Sequence, residues 1–189
     1  MVWQAITFAV VCLTVLSVEV SADEKWLVSV MSGGYMRAGG DRSFPDAGWS
    51  VTGVVTHHVA DHLDIGGGLS VQGVGIEDVD VGTSAISETR DPSRVALALF
   101  EVTAHTAGKT AGVISVGGGA GRLWRGDQVK NETFVTRGAV TTGPAADVSV
   151  GVRTTGHPIG VCGMLRWWAL GLDGGTMQRI GAEVGITFF

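Results

Sequence analysis

The sequence predicts an all-β fold: eight antiparallel strands in an up-and-down barrel. Three observations predict it. Apolar and polar residues alternate with a period of two along most of the chain. Gly is abundant, 30 of 189 residues, while Pro is scarce at 4, which suits strands and turns rather than a disordered Pro/Gly chain. Mean hydropathy is high at +0.31. Yet beyond residue 22 no run reaches the roughly 18 unbroken apolar residues of a membrane-spanning helix. Apolar content dispersed in this way belongs to strands with one apolar face.

The first element stands apart. "MVWQAITFAVVCLTVLSVEVSA" is apolar from Ala5 to Leu16 and ends in Val20-Ser21-Ala22. It has the length of a signal h-region and a small residue where a signal peptidase would cut, although no Lys or Arg precedes the apolar run. It reads as a cleaved signal peptide over 1–22, with a buried N-terminal helix or strand as the alternative. Residues 23–189 then form a single domain, long enough for a sizeable core. The two cysteines are Cys12 and Cys162. Loss of the leader leaves Cys162 alone, with no intramolecular disulfide. Net charge is −5 with scattered arginines, which excludes a nucleic-acid partner.

The strands follow at about 25–38, 48–60, 63–77, 93–106, 111–125, 134–155, 159–171 and 177–189. In the second, Trp49, Val51, Gly53 and Val55 alternate with Ser50, Thr52, Val54 and Thr56. The third alternates Leu69, Val71 and Gly73 with Ser70 and Gln72. In the fourth, Ala98, Phe100, Val102 and Ala104 alternate with Leu99, Glu101, Thr103 and His105. The fifth is rich in Gly, which makes room for large neighbours in a narrow barrel. The sixth is long, and Gly143-Pro144 predicts a bulge or kink within it. The seventh alternates Leu165, Trp167 and Ala169 with Arg166 and Trp168. In the eighth, Ile180, Ala182, Val184, Ile186 and Phe188 alternate with Arg179, Gly181, Glu183, Gly185 and Thr187.

The connections alternate too. Residues 39–47, 78–92, 126–133 and 172–176 are longer and polar, whereas 61–62, 107–110 and 156–158 are tight. Short turns at one end and longer loops at the other are the asymmetry of membrane-spanning β-barrels, and each strand exceeds the roughly 9–11 residues needed to cross.

The mature length resembles the small eight-stranded outer-membrane barrels, the group around OmpA and OmpX. The resemblance is carried by "GGYMRAGG", by "GWSVTGVVTHHVADHLDIGGGLS" as the first tight hairpin, and by "SVGGGAGRLW". It closes on "GPAADVSVGVRTTGHPIGVCGMLRWWALGLDGGTMQRIGAEVGITFF". It implies a transmembrane barrel in the bacterial outer membrane, in contact with outer-membrane lipid and lipopolysaccharide. It also implies assembly by the barrel-assembly machinery through the C-terminal strand, with Phe188 and Phe189 as the signal. Phe188 shares the apolar phase of that strand, and Phe189 falls out of it.

In such a barrel the apolar phase faces lipid and the charged phase the lumen. Phase places Glu101, Arg122, Arg153, Arg166, Arg179 and Glu183 inside, as ion pairs forming a structural plug rather than a gated pore or substrate site. Trp26, Tyr35, Trp49, Trp124, Trp167 and Phe188, with Trp168 and Phe134, lie near strand ends as an aromatic girdle. All five histidines, His57, His58, His62, His105 and His157, fall at the tight-turn end. A metal-binding or pH-sensing rim is one reading. Polar residues flanking turns at a wet interface is the reading adopted, so no metal, cofactor or catalytic residue is expected. The Asn131-Glu132-Thr133 sequon is read as chance, and "SVGGGAG" is no phosphate loop, since neither Lys-Ser/Thr nor a helix follows.

The predicted role is therefore structural or surface-interacting, as a monomer without catalysis, with recognition by the longer loops, chiefly 78–92. Passage of small solutes is a sub-case, though eight strands leave little room for water. Two alternatives stand beside it. A soluble lipocalin-like barrel would bind a small apolar ligand and need the apolar phase inside. A barrel enzyme acting on lipid A or phospholipid would need a His-x-Ser pair if a deacylase, and the sequence has none.

Overall fold

The computed structural model describes residues 26–40, 47–74, 88–90, 93–126, 128–130, 134–136, 138–154 and 158–189. The proposed leader, the sequon, His157 and most of the longer loops lie outside these residues. The strands are β1 (Trp26–Gly40), β2 (Ala47–Ala60), β3 (Leu63–Val74), β4 (Glu88–Arg90), β5 (Ser93–His105), β6 (Thr110–Trp124), β7 (Gln128–Lys130), β8 (Phe134–Thr136), β9 (Val140–Thr154), β10 (Ile159–Leu172) and β11 (Gly175–Phe188). The eight long strands form one closed barrel in the order β1-β2-β3-β5-β6-β9-β10-β11, with β11 pairing back onto β1. Every neighbouring pair is antiparallel, so the topology is the predicted meander.

Three expectations about the strands are corrected. Residues 134–155 are not one strand: β8 is a separate three-residue strand, and β9 begins at Val140. β4, β7 and β8 form a small sheet of their own, joining the connection before β5 to the one before β9. Gly143-Pro144 makes no bulge against β6, whose ladder to β9 runs from Thr110↔Thr154 to Trp124↔Val140 without a shift. Instead the ladder to β10 stops at Ala145, next to the proline that has no N–H to donate. The connection expected at 172–176 is a two-residue turn, Asp173-Gly174, with Gly174 at φ 92°. Asp-Gly is a preferred two-residue hairpin turn, because the second residue must take positive φ.

The barrel is apolar outside and polar in the middle. Along β11, Glu183 is 1% exposed and Val184 is 70% exposed. Each long strand carries an exposed apolar side chain: Met36, Val55, Leu69, Phe100, Ile114, Val150, Leu165 and Val184. A continuous band of this kind far exceeds the patch of a few hundred Å² that a soluble monomer presents. Closure leaves no edge strand, so the backbone polar groups of the wall pair within the sheet except near strand ends, as where the β9–β10 ladder stops at Ala145. This is the architecture of a transmembrane β-barrel.

Candidate functional site

Three groupings of inward residues stand out in the lumen, besides a small apolar cluster of Met31, Val54 and Cys162. The layer toward the longer loops is mainly apolar, with Arg179 and Gln72 buried at its level opposite Trp168 and Val95. Tyr35, Val95, Leu97, Leu99, Leu123, Ala145, Trp168, Leu170 and Met177 form one buried cluster there. Trp168 meets Tyr35 edge-on at 6.2 Å between ring centroids. The polar lumen expected from the charged phase is thus only part of the interior.

The middle layer is a charge cluster centred on Arg166 of β10. Its Nη2 donates to Glu101 Oε1 of β5 at 2.7 Å. Its Nε lies 3.0 Å from Asp147 Oδ2 of β9, and its Nη1 3.6 Å from Glu183 Oε2 of β11. Glu183 Oε1 accepts from Ser50 Oγ at 2.8 Å and Thr52 Oγ1 at 2.7 Å, both on β2. Thr52 Oγ1 also meets Ser70 Oγ of β3 at 2.9 Å. One guanidinium and its carboxylates therefore tie six strands across the lumen. Gly117 of β6 gives the cluster its space, because a Cβ there would meet Asp147 Oδ1 and come within 3.1 Å of Glu101 Cγ.

The layer at the tight-turn end centres on Asp64, the second residue of β3. Arg153 Nη2 donates to its Oδ2 at 2.8 Å. His58 Nδ1 lies 2.8 Å and His105 Nε2 3.4 Å from its Oδ1. The ring of His62 lies 5.9 Å from that of His105. The backbone explains the gathering. The turn at 61–62 folds β3 onto β2, and the His105 N–H bonds to the His62 carbonyl at 3.0 Å. Nearby, Ser29 meets Thr187, and Thr103 meets Ser115, through hydroxyl hydrogen bonds of 2.9 and 2.7 Å.

Of the six charges placed inside by phase, Glu101, Arg153, Arg166, Arg179 and Glu183 are buried there. Arg122 is not. It faces outward beside Trp124, with its guanidinium 5.2 Å from that ring's centroid. Gly121 and Leu123 take the inward positions on either side. At the loop end of the wall an arginine can reach the polar headgroup zone and lie over an interfacial aromatic face.

The girdle is likewise partly as predicted. Trp26, Trp49 and Trp124 are exposed on the outer face, Trp26 lying against His57 at 4.6 Å. Trp167 and Phe188 also point outward by phase. Tyr35 and Trp168 do not belong to it, for both are buried in the lumen. Tyr35 shares the phase of the buried Leu27 and Met31, and adjacent Trp167 and Trp168 must face opposite sides of the wall. Phe188 pairs with Val28 and Ile159, whereas Phe189 follows the strand and packs near Gly160. Cys162 is a free, buried thiol.

Sequence reasoning missed Asp64 and Asp147 as inward charges. Both were legible by phase: Asp147 precedes the outward Val148, and Asp64 sits two residues before Gly66 on the inward side of β3. It also read the histidines as separate polar residues flanking turns, whereas the rings of His58 and His62 lie 5.5 and 5.9 Å from that of His105.

The chain is similar in fold to small outer-membrane barrels of known structure. Neisserial surface protein A superposes with a TM-score of 0.55 at 9% identity, covering 86% of this chain and 95% of that one. Ail, the attachment invasion locus protein of Yersinia pestis, superposes with a TM-score of 0.53 at 9% identity, covering 87% and 99%. At such identity the likeness concerns the fold. No protein-family model and no curated protein sequence matches the chain.

Proposed function

We propose that the chain is an integral barrel of the bacterial outer membrane with a structural or surface-interaction role and no catalysis. The observation that carries this reading is the inverted wall, with Val184 and its outward apolar neighbours exposed and Glu183 and Arg166 sealed inside. A soluble lipocalin-like barrel needs the opposite phase and an open apolar cavity. Here the apolar interior is filled by its own side chains, Trp168, Leu97 and Leu170 among them.

The tight turns face the periplasm in this reading, and the longer loops face outward. The small β4-β7-β8 sheet gives two of those loops a common frame on which to display recognition residues. Of the two similar structures, one is of a surface protein and the other of an attachment invasion locus protein that was also crystallised with a heparin analogue. Both fit a surface-interaction role. The carboxylates of the middle layer are committed to Arg166 beneath the apolar layer, away from any substrate entering at the loop end. That speaks against a lipid-modifying enzyme.

The test is membrane fractionation followed by gel mobility in SDS, unheated against boiled. The expected result is an outer-membrane species, extracted only by detergent, whose mobility shifts on boiling. A soluble periplasmic species without a shift overturns the reading.

A further inference from the structure

We infer that the tight-turn end of the barrel carries a site for one divalent transition-metal ion, of the zinc or cobalt type, held by His58, Asp64 and His105. The inference concerns the folded barrel itself and goes beyond its role in the membrane.

The first ground is geometry. One ligand atom from each of the three residues lies within 4.8 Å of the other two. Two of the separations are 2.8 Å, between His58 Nδ1 and Asp64 Oδ1, and 3.4 Å, between His105 Nε2 and the same oxygen. Zinc bonds of about 2.05 Å at a tetrahedral angle place neighbouring ligand atoms about 3.3 Å apart. The 3.4 Å separation already matches, the 2.8 Å one must widen by about 0.5 Å, and the two imidazole nitrogens stay within 4.8 Å of each other. Two imidazoles and one carboxylate are a common donor set for zinc, with a further position open to water.

The second ground is an unsatisfied ligand atom. His105 Nδ1 faces the carbonyl of Thr106 at 3.4 Å. Nε2 is buried and has no hydrogen-bond partner. It faces Asp64 Oδ1 at 3.4 Å. With the ring proton on Nδ1, the Nε2 lone pair meets a carboxylate lone pair, and a cation between them would satisfy both, whereas the Nε2–H tautomer would donate to Asp64 directly.

The third ground is support from behind. Arg153 holds Oδ2 of Asp64 at 2.8 Å, so Oδ1 is presented to the histidines. Such outer partners orient first ligands. Arg153 also leaves the pocket less negative than a bare carboxylate would make it, so affinity rests mainly on the two imidazoles. Asp64 is fully buried, but the His58 side chain is 35% exposed, which leaves an entry path from the aqueous end.

The three ligands come from β2, β3 and β5. A bound ion would cross-link them and resist opening of the barrel at that end. An ion that binds only the folded form raises stability by mass action.

The test uses tag-free protein refolded in detergent micelles and stripped with a chelator. Zinc is titrated by calorimetry and cobalt by visible absorption, and the temperature at which the compact gel band is lost is followed with and without zinc. The expected result is one zinc per barrel, ligand-field bands with cobalt, and a higher conversion temperature with zinc. His58→Ala and His105→Ala should each weaken binding at least about tenfold. His57→Ala, on the outer face of β2, should leave it unchanged. Gel mobility confirms that each variant is folded, and His58→Gln and His105→Gln replace any alanine variant that is not. Absence of saturable binding overturns the inference. So does binding that survives both histidine substitutions.

Discussion

Removal of the central arginine is the sharpest test of the lumen cluster. Arg166 faces Glu101, Asp147 and Glu183, and both members of every pair are at most 3% exposed. Solvent screening therefore takes little from these contacts. At an effective dielectric near 20, one contact at about 4 Å is worth about 4 kcal/mol. Arg166→Met loses three such contacts but keeps most of the side-chain volume. Movement of the chain and entry of water recover part of the loss, so the expected cost is about 3–5 kcal/mol, the range for one partner removed from a buried pair. Adding Glu183→Gln to Arg166→Met should restore stability, because it removes a charge that the first substitution left without its arginine. The assay is urea unfolding of the barrel refolded into lipid vesicles, followed by tryptophan fluorescence, with gel mobility as an independent measure of the folded form. A loss under about 1 kcal/mol for Arg166→Met, or a further loss in the double variant, would refute the claim that Arg166 neutralises the lumen carboxylates.

Val184→Arg, on the lipid face of β11, should cost about 2–4 kcal/mol in the same urea assay if its level is the bilayer midplane, whereas a soluble barrel would tolerate it at an exposed position. Gly117→Val should abolish the heat-modifiable band, since its Cβ would meet Asp147 Oδ1, while Gly53→Ala, with nothing within 4 Å of its Cβ, should fold normally. Leu97→Ala, in the apolar layer, should cost about 2–5 kcal/mol by the cavity it leaves. Planar-bilayer recordings of the wild type should show no steady conductance, because that layer fills the lumen across its width; open-channel currents would contradict the packing of Trp168 and Leu170.

How much of this was legible in the sequence depends on the range over which each feature is decided. Phase is decided locally. A period of two carries Ile180, Val184 and Ile186 to one side and Arg179 and Glu183 to the other, so the two faces of the wall could be read from a single strand, while which of them faced out needed the loop asymmetry of the whole chain. It fails where side chains give no contrast. Across Gly117 to Gly119 and Gly121 nothing marks the inner face, and the phase that placed Arg122 inside was one residue out. The sequence did hold the correction: Arg122 and Trp124 are two apart and must share a side, so one cannot line the lumen while the other joins the girdle. Charge is also a poor guide at the ends of a strand, where an outward arginine reaches headgroups and an inward tryptophan finds an apolar plug. Partnership is decided by register between strands, and that is not local. His58 and Asp64 are six residues apart and could be joined through their turn. Glu101 and Arg166 meet across 65 positions, and Arg153 reaches Asp64 across 89. Only closure of the barrel fixes those offsets. The convergence of the rim histidines on Asp64 was missed for the same reason. His105 enters through the register of β3 on β5, which pairs Leu63 with Ala104 and sets His105 against the 61–62 turn. A shift of that register by one residue would turn His105 to the outer face and leave Asp64 with Arg153 and His58 alone. The candidate metal site is thus a property of the closed sheet, written in no single stretch of the chain.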